Sequence, residues 1–192
     1  QMKIRIDSKS NPTWFEQYIQ KSNGFVSYGD DPIVSLKAVK NHVELQGTRN
    51  AHIRDGVAFV RFLHWFDKNA PMEKLDEITV ADQLKTFRGE GALFKDLSFD
   101  TISGSGPNGA IVHYRVSPKT NRKLKNGDLY LIDSGAQYLD GTTDITRTLA
   151  VGDPGDEARD RFTRVLKGHI ALASQKFPKG TTGSQIDVLA RA

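Results

Sequence analysis

Residues 129–151, LYLIDSGAQYLDGTTDITRTLAV, hold two β-type segments on either side of a turn signal. Leu129–Ile132 is a short apolar run, and residues 142–151 are rich in β-branched side chains. The dipeptide Asp140-Gly141 between them is typical of tight hairpin turns. The stretch therefore predicts an antiparallel hairpin.

The sequence on both sides of this hairpin is helical. Upstream, an apolar stripe at helical spacing is formed by Ile53, Val57, Val60 and Leu63. A further helix is predicted from a capped start at Thr79 to the glycines at 89 and 91. Downstream, Asp153-Pro154 supplies an N-cap and a first-turn proline for another helix, and a last one begins near Ser184. Helices, then antiparallel strands, then helices indicate an α+β domain with helices packed on an antiparallel sheet.

Two more strands are expected before the hairpin, at residues 97–102 and at residues 110–116, with a glycine-rich stretch between them. That stretch, Gly104–Gly109, matches the dinucleotide fingerprint G-x-G-x-x-G. The fingerprint works only where its third glycine opens a helix whose amides hold the pyrophosphate. Here a strand-type segment follows and Pro107 removes one amide, so we interpret the stretch as a loop between strands.

Length and composition limit the class of protein. The 192 residues suffice for one domain, or one and part of another, and a polar, turn-rich stretch makes residues 1–35 an expected domain end and linker. The formal net charge is only +4, so nucleic acid is not an expected partner. No apolar stretch reaches the roughly 18 residues of a membrane span, and the sequence begins without a secretory signal, so no membrane association is expected. The lack of cysteine excludes disulfides, thiolate zinc sites and cysteine nucleophiles.

Two aspartates in the hairpin are candidate metal ligands. Asp133 ends the buried-type strand, and Asp144 shares a strand face with Thr142 and Thr146. Two neighbouring carboxylates repel each other unless a divalent cation lies between them. The alternative is a structural pair, with one aspartate in a turn and the other paired with Arg147. A tight turn at residues 140–141 would set Asp133 opposite residue 148, so facing carboxylates would require a longer loop or a bulge.

The segment from Asp133 to Thr148 resembles the metal-binding hairpin of the aminopeptidase P family. These enzymes are Xaa-Pro aminopeptidases and belong to the pita-bread metallopeptidases. The likeness to the cytosolic, three-domain branch continues upstream through AHIRDG, residues 51–56, and GPNGAIVHY, residues 106–114. Downstream it includes VLKGHI, residues 165–170, and FPKG, residues 177–180. It covers about residues 37–192, so residues 36–192 are expected to be the N-terminal half of a pita-bread catalytic domain.

The resemblance implies a metal-dependent aminopeptidase that releases the N-terminal residue from peptides with proline in second position. It implies that Asp133 binds one of two divalent ions, usually manganese, and that Asp144 bridges both. His113 would lie beside the site as a non-ligand catalytic histidine that contacts the peptide or helps to move protons. Peptides with penultimate proline as partners, a homodimer and a cytoplasmic location are further expectations of the same likeness.

The chain departs from the family pattern downstream of the hairpin. The family completes its dinuclear site with one histidine and two glutamates, but this sequence has no glutamate after Glu157 and no histidine after His169. Two aspartates alone should hold metal weakly, so the 192 residues are expected to be an inactive piece of a longer enzyme. A prolidase-type dipeptidase on the same scaffold, or a catalytically dead peptide-binding module, are the alternatives.

Overall fold

The computed structural model describes residues 2–192. These residues divide into two compact units, with the boundary between Gly47 and Thr48. The first unit contains β1 (Lys3–Ile6), α1 (Thr13–Lys21), β2 (Phe25–Tyr28) and α2 (Pro32–Ala38). β1 and β2 pair in parallel, with α1 as the connection between them. β2 falls in the polar, turn-rich stretch that was expected to be a domain end and linker. It is only four residues long and lies between Gly24 and Gly29, which hid its strand pattern.

Helices precede and follow the strands of the second unit, as the sequence order indicates. Two long helices come first: α3 (His42–Asn69), which begins before the boundary between the units, and α4 (Glu77–Gly89). The strands are β3 (Phe94–Leu97), β4 (Ile102–Ser105), β5 (Leu129–Ser134), β6 (Ala136–Tyr138) and β7 (Ile145–Ala150). The last helices are α5 (Gly155–Ala173), α6 (Gly183–Ile186) and α7 (Val188–Arg191). None of the helices within residues 2–192 is both long and apolar enough to cross a membrane.

A three-stranded antiparallel sheet, in the order β4-β5-β7, carries α3 and α4 on one face. Alternate residues of β5 are buried, namely Tyr130, Ile132 and Ser134, and the residues between them are more exposed. The buried side packs with the aromatic side chains of α3 and with Val80 and Leu84 of α4. Phe66, for example, stacks on Tyr130 with ring centroids 5.2 Å apart. The core therefore lies on one face of the sheet, and Asp133 belongs to the other face.

The buried side of α3 is not the one that its large aliphatic residues predict. Ile53, Val57 and Val60 are 69%, 59% and 65% exposed. The face that packs on the sheet combines small, aromatic and acidic residues: Ala51, Asp55, Ala58, Phe59, Phe62 and Phe66. The aromatic rings dominate the buried area, and Asp55 is accepted in the core because Arg88 neutralises it.

The prediction of a strand at residues 110–116 is wrong. A single 3₁₀ turn, Gly106–Ala110, follows β4, and the chain then continues without regular structure to β5. Ile111 and Val112 are exposed, and His113 adopts a left-handed backbone conformation with φ of 53°, which an extended strand excludes. Gly104 is needed here for a close backbone approach, since a Cβ would lie 2.8 Å from the amide nitrogen of Gly109. Gly104 therefore serves chain packing. The stretch is a turn after β4, but the element that follows it is not the expected strand.

The start of α4 and the end of the chain also differ in detail from expectation. The N-cap of α4 is Asp76 rather than Thr79, and its carboxylate accepts the amide hydrogen of Thr79 at 2.8 Å. The helix ends at Gly89 as expected. The helix expected near Ser184 is present as two short helices, α6 and α7.

Candidate metal centre

The hairpin that carries both aspartates keeps one register over its whole length. Its pairs run from Leu129↔Ala150 through Asp133↔Thr146 to Gln137↔Thr142. The amide of Tyr138 donates to the carbonyl of Gly141 at 2.8 Å, so the two-residue turn is Leu139-Asp140, one position before the Asp140-Gly141 turn of the sequence analysis. This shift moves the partner of Asp133 from residue 148 to Thr146, without a longer loop or a bulge.

The same register brings the two aspartates to one side of the hairpin. Asp144 lies directly before β7, and the alternation of side chains assigns it to the face that Thr146 shares with its partner Asp133. The two aspartates are thus diagonal neighbours, an arrangement in which Cα atoms lie roughly 7–8 Å apart. That face is the one opposite α3, α4 and the core.

The backbone next to Asp144 is fixed by Thr143, which is 2% exposed. Its amide donates to the carbonyl of Ala136 at 2.9 Å, and its Oγ1 accepts the amide hydrogen of Ala136 at 3.0 Å. Its carbonyl accepts the hydroxyl of Ser98 at 3.0 Å. Gly135 permits this packing, because a Cβ at that position would lie 2.0 Å from the carbonyl oxygen of Thr143. The hairpin therefore holds residue 144 closely against the end of β5.

The chemistry of the two carboxylates matches that of cation ligands. Oδ1 of Asp133 is buried and has no hydrogen-bond partner within residues 2–192. A buried carboxylate oxygen without a partner costs free energy that a bound cation would recover. Asp144 is exposed, and Arg147 donates instead to the carbonyl of Thr146 at 2.7 Å, so the alternative ion pair between residues 144 and 147 does not form. The donor set thus fits a hard divalent cation.

A buried ion pair supports the strand that carries Asp133. Arg88 of α4 is fully buried and forms a bidentate pair with Asp55 of α3, with distances of 2.7 and 3.1 Å. The same guanidinium donates to the hydroxyl of Ser134, the residue after Asp133. The hydroxyl of Tyr138 donates to Oδ1 of Asp55 at 3.0 Å. The pKa of Tyr138 is raised, mainly because the side chain is buried and secondly because of the nearby charge of Asp55. The end of β5 is therefore fixed to both long helices.

Comparisons with known proteins identify the family of the chain. Residues 46–192 match the sequence profile of metallopeptidase family M24. The chain belongs to this family. It is 53% identical over 166 residues to the probable Xaa-Pro aminopeptidase P of Laccaria bicolor, a match that covers 83% of this chain and 25% of the relative. The chain spans about a quarter of the length of the curated relatives that it matches.

Solved structures of M24-type enzymes share the fold. The X-prolyl aminopeptidase of Caenorhabditis elegans, described as a cytosolic enzyme with a di-nuclear active site, superimposes with a TM-score of 0.76 at 32% identity. That match covers 98% of this chain and 38% of the nematode one. A prolidase of Thermococcus sibiricus superimposes with a TM-score of 0.74 at 28% identity, over 98% and 49% of the two chains. The expected α+β, pita-bread fold class is confirmed.

The third candidate of this M24 chain, His113, lies outside the hairpin that carries the two aspartates. It lies on the irregular segment after β4, is exposed, and has its backbone in the left-handed region. Among the side-chain hydrogen bonds of residues 2–192, none joins His113 to Asp133 or Asp144. The described residues also contain no group of three or more histidine, cysteine, aspartate or glutamate side chains able to hold a metal ion. Within those residues, the hairpin thus contributes two metal-ligand candidates that lie together.

Sequence reasoning missed the residues that support this M24 site. Asp55 and Arg88 are charged residues inside amphipathic helices, where the usual interpretation is an exposed position. A usable signal was the spacing of Ala51, Asp55, Ala58 and Phe62, which predicts a second, more aromatic face of α3. His169, interpreted as a helix-packing residue, is exposed on α5.

Proposed function

We propose that the protein containing this chain is a metal-dependent aminopeptidase that releases the N-terminal residue from peptides with proline in second position. The observation that carries the metal-dependent part is the pair Asp133 and Asp144 on one hairpin face, with a buried oxygen of Asp133 left without a partner. The substrate class rests on the 53% identity with the probable Xaa-Pro aminopeptidase P of Laccaria bicolor.

In this proposal each site residue has one role. Asp133 would hold one divalent ion, and Asp144, whose carboxylate is exposed toward the same face, would hold both. When bound, the ions, for which we propose manganese, supply an activated water and polarise the scissile carbonyl. His113 contacts the peptide next to the scissile bond, where its imidazole holds or moves a proton. The C. elegans enzyme's di-nuclear site supports the count of two ions.

The described residues provide only part of such a site. Two carboxylates occupy few of the six or so coordination positions of each ion, and the rest would be filled by water. Because the chain spans about a quarter of its curated relatives, we propose that the remaining ligands come from other parts of the whole enzyme and that these 192 residues alone are inactive. A cytoplasmic location and a homodimer are further parts of the proposal, the former supported by the cytosolic C. elegans relative.

A prolidase is the second candidate, and it is favoured by the structural likeness to the prolidase of Thermococcus sibiricus at 28% identity. The two activities differ in the length of the substrate. We expect the full-length protein with manganese to cleave Xaa-Pro-Xaa peptides efficiently, whereas a prolidase would prefer Xaa-Pro dipeptides. Measurement of kcat/KM on a matched peptide pair decides between them.

The metal assignment is tested by Asp133→Asn and Asp144→Asn in the full-length protein. Each change removes a negatively charged ligand, so we expect activity to fall about a hundredfold or more and manganese binding to weaken in a calorimetric titration. The matched control is Asp156→Asn on α5, whose side chain is fully exposed, and it should behave as the unchanged protein. Full activity in both hairpin variants would refute the assignment.

A further inference from the structure

Glu77 is a fully buried carboxylate in the first turn of α4, outside the hairpin and outside the proposed metal centre. A buried carboxylate is costly unless its oxygens accept several hydrogen bonds. The donors that reach Glu77 are neutral groups rather than a lysine or arginine side chain. Its charge is therefore satisfied by the fold around it, and the question is what that arrangement holds in place.

Four donors converge on this one carboxylate. Oε1 accepts the amide hydrogen of Ser105 at 2.7 Å and the side-chain amide of Asn108 at 2.9 Å. Oε2 accepts the amide hydrogen of Arg122 at 3.0 Å and lies 3.1 Å from the hydroxyl of Tyr114. Hydrogen bonds to a charged acceptor are roughly twice as strong as neutral ones.

All four donors belong to residues 105–122, which we call the His113 segment. Apart from Ser105, the last residue of β4, and the 3₁₀ turn Gly106–Ala110, this segment lacks regular structure, so no strand or helix ladder fixes residues 111–122. Tyr114, the neighbour of His113, is 6% exposed, whereas His113 itself is exposed. The left-handed conformation of His113 is unfavourable for a residue with a Cβ, and it persists only where the surroundings determine it.

The main chain of α4 adds to the same attachment. The amide of Glu77 donates to the carbonyl of Arg122 at 3.1 Å, and the amide of Ile78 donates to Oδ1 of Asn121 at 3.2 Å. Two backbone amides at the start of α4 thus bind the end of the His113 segment. Its interior, residues 108 and 114, reaches α4 through the Glu77 carboxylate.

We propose that Glu77 is a positioning residue: its carboxylate fixes the conformation of the His113 segment and so sets where the His113 imidazole stands. The consequence for peptide cleavage rests on the proposed function, in which His113 contacts the substrate. Glu77 itself touches neither the substrate nor the metal ligands in this proposal.

The direct test is Glu77→Gln in the full-length protein. Glutamine has nearly the same shape, but in either orientation its NH2 group faces a backbone N–H, that of Ser105 or that of Arg122. We expect amide hydrogen exchange to become at least tenfold faster within residues 105–122 and to stay unchanged in β5 and β7. The matched control is Glu73→Gln, because Glu73 also accepts a backbone amide hydrogen, that of Asn126 at 2.9 Å, but is exposed and outside the segment.

A second readout separates positioning from general support of the fold. In Glu77→Gln, we expect kcat/KM on an Xaa-Pro-Xaa peptide to fall about tenfold while manganese affinity stays unchanged, at a temperature where the variant is fully folded. In a His113→Ala background, the same change should cause no further loss, because the residue through which Glu77 acts is already absent. Independent, multiplying losses in the double variant would overturn the proposal.

Tyr114→Phe keeps the test decisive if Glu77→Gln does not fold. It removes one donor and leaves the carboxylate with three, so a smaller increase in exchange, confined to the same segment, is expected. Unchanged exchange in the segment overturns the inference. If the unchanged protein fails to cleave Xaa-Pro peptides, the proposed function fails, but the exchange experiment still decides the role of Glu77.

Discussion

The hairpin of residues 129–151 and the His113 segment both carry proposed site residues, but different interactions hold them in place. The hairpin has a ladder of backbone pairs from Leu129↔Ala150 to Ser134↔Ile145, the isolated pair Gln137↔Thr142 in the same register, and a buried ion pair behind β5. The His113 segment has a single carboxylate on which four donors converge. A ladder spreads its stability over many bonds, whereas a convergent acceptor concentrates it in one side chain.

The two buried carboxylates behind these regions also differ in how their charge is compensated. Asp55 faces a cation, Arg88, which has the same buried environment. Glu77 faces only neutral donors. Loss of the cation would leave a buried charge without compensation, while loss of one neutral donor would leave three others. Removal of Arg88 is therefore expected to destabilise the protein more than removal of one donor to Glu77, and the following variants probe the hairpin side.

Arg88→Met should cause the largest loss of stability. The change leaves Asp55 buried beside an apolar side chain and removes the donor to Ser134 of β5, so the free energy of unfolding should fall by about 3–5 kcal/mol. Guanidinium chloride titration followed by circular dichroism measures this loss. The matched control is Arg61→Met, whose partner Glu90 is half-exposed, and it should cost about 1 kcal/mol or less. Equal losses in the two variants would contradict the role assigned to the buried pair.

Gly135→Ala should have the next largest effect, and it probes the ladder next to Asp144. The added methyl group would meet the carbonyl oxygen of Thr143, so the two strands must separate at this point at a cost of about 1–3 kcal/mol. Because Asp144 moves with Thr143, manganese affinity should also fall, by about 10–100-fold, in a calorimetric titration.

The control for this change is Gly56→Ala in α3, where a Cβ meets no atom within 4 Å. Alanine favours the helix, so this variant should be unchanged or more stable by up to about 1 kcal/mol, with normal metal affinity. If Gly135→Ala binds manganese as well as Gly56→Ala does, the close approach of residues 135 and 143 does not position Asp144.

The contrast between the two regions also explains what the sequence could predict. Period-2 alternation and the turn signal predict the hairpin, and they place Asp133 and Asp144 on neighbouring segments, because a ladder is encoded by residues within the ladder. Only the turn position was wrong, by one residue, since Asp140-Gly141 and Leu139-Asp140 differ by less than a pattern can resolve. A turn shifted by one residue moves the opposite partner by two, from residue 148 to Thr146.

The conformation of the His113 segment could not be predicted in this way. The β-branched and aromatic residues of the segment predict a strand. Glu77, which we propose fixes its conformation, lies in α4, 28 positions before Ser105. The same holds for Asp55, whose partner Arg88 is 33 residues away. Long-range polar contacts of this kind leave no local period, so neither a hydrophobic pattern nor a turn dipeptide reveals them.

The smallest expected effect concerns the turn of the hairpin and appears only in acid. Arg54 of α3 forms two hydrogen bonds of 3.0 Å with Asp140, and this contact holds the pKa of Asp140 below its ordinary value of 3.8. A carboxyl group whose pKa is lower in the folded state stabilises the fold above its unfolded pKa. The contribution is then lost as the pH falls through the lower, folded value.

Asp140→Asn should therefore be less stable than the unchanged protein at neutral pH, and the difference should shrink as the pH falls below about 4. Denaturant titrations at several pH values measure this difference, and subtraction cancels the contributions of the other carboxyl groups. In an Arg54→Gln background, Asp140→Asn should have no such pH-dependent effect, because the cation that lowers the pKa is gone. If the stability difference stays constant from neutral pH into acid, the ion pair with Arg54 of α3 does not stabilise the hairpin turn. The backbone pairs of the hairpin would then hold the turn by themselves.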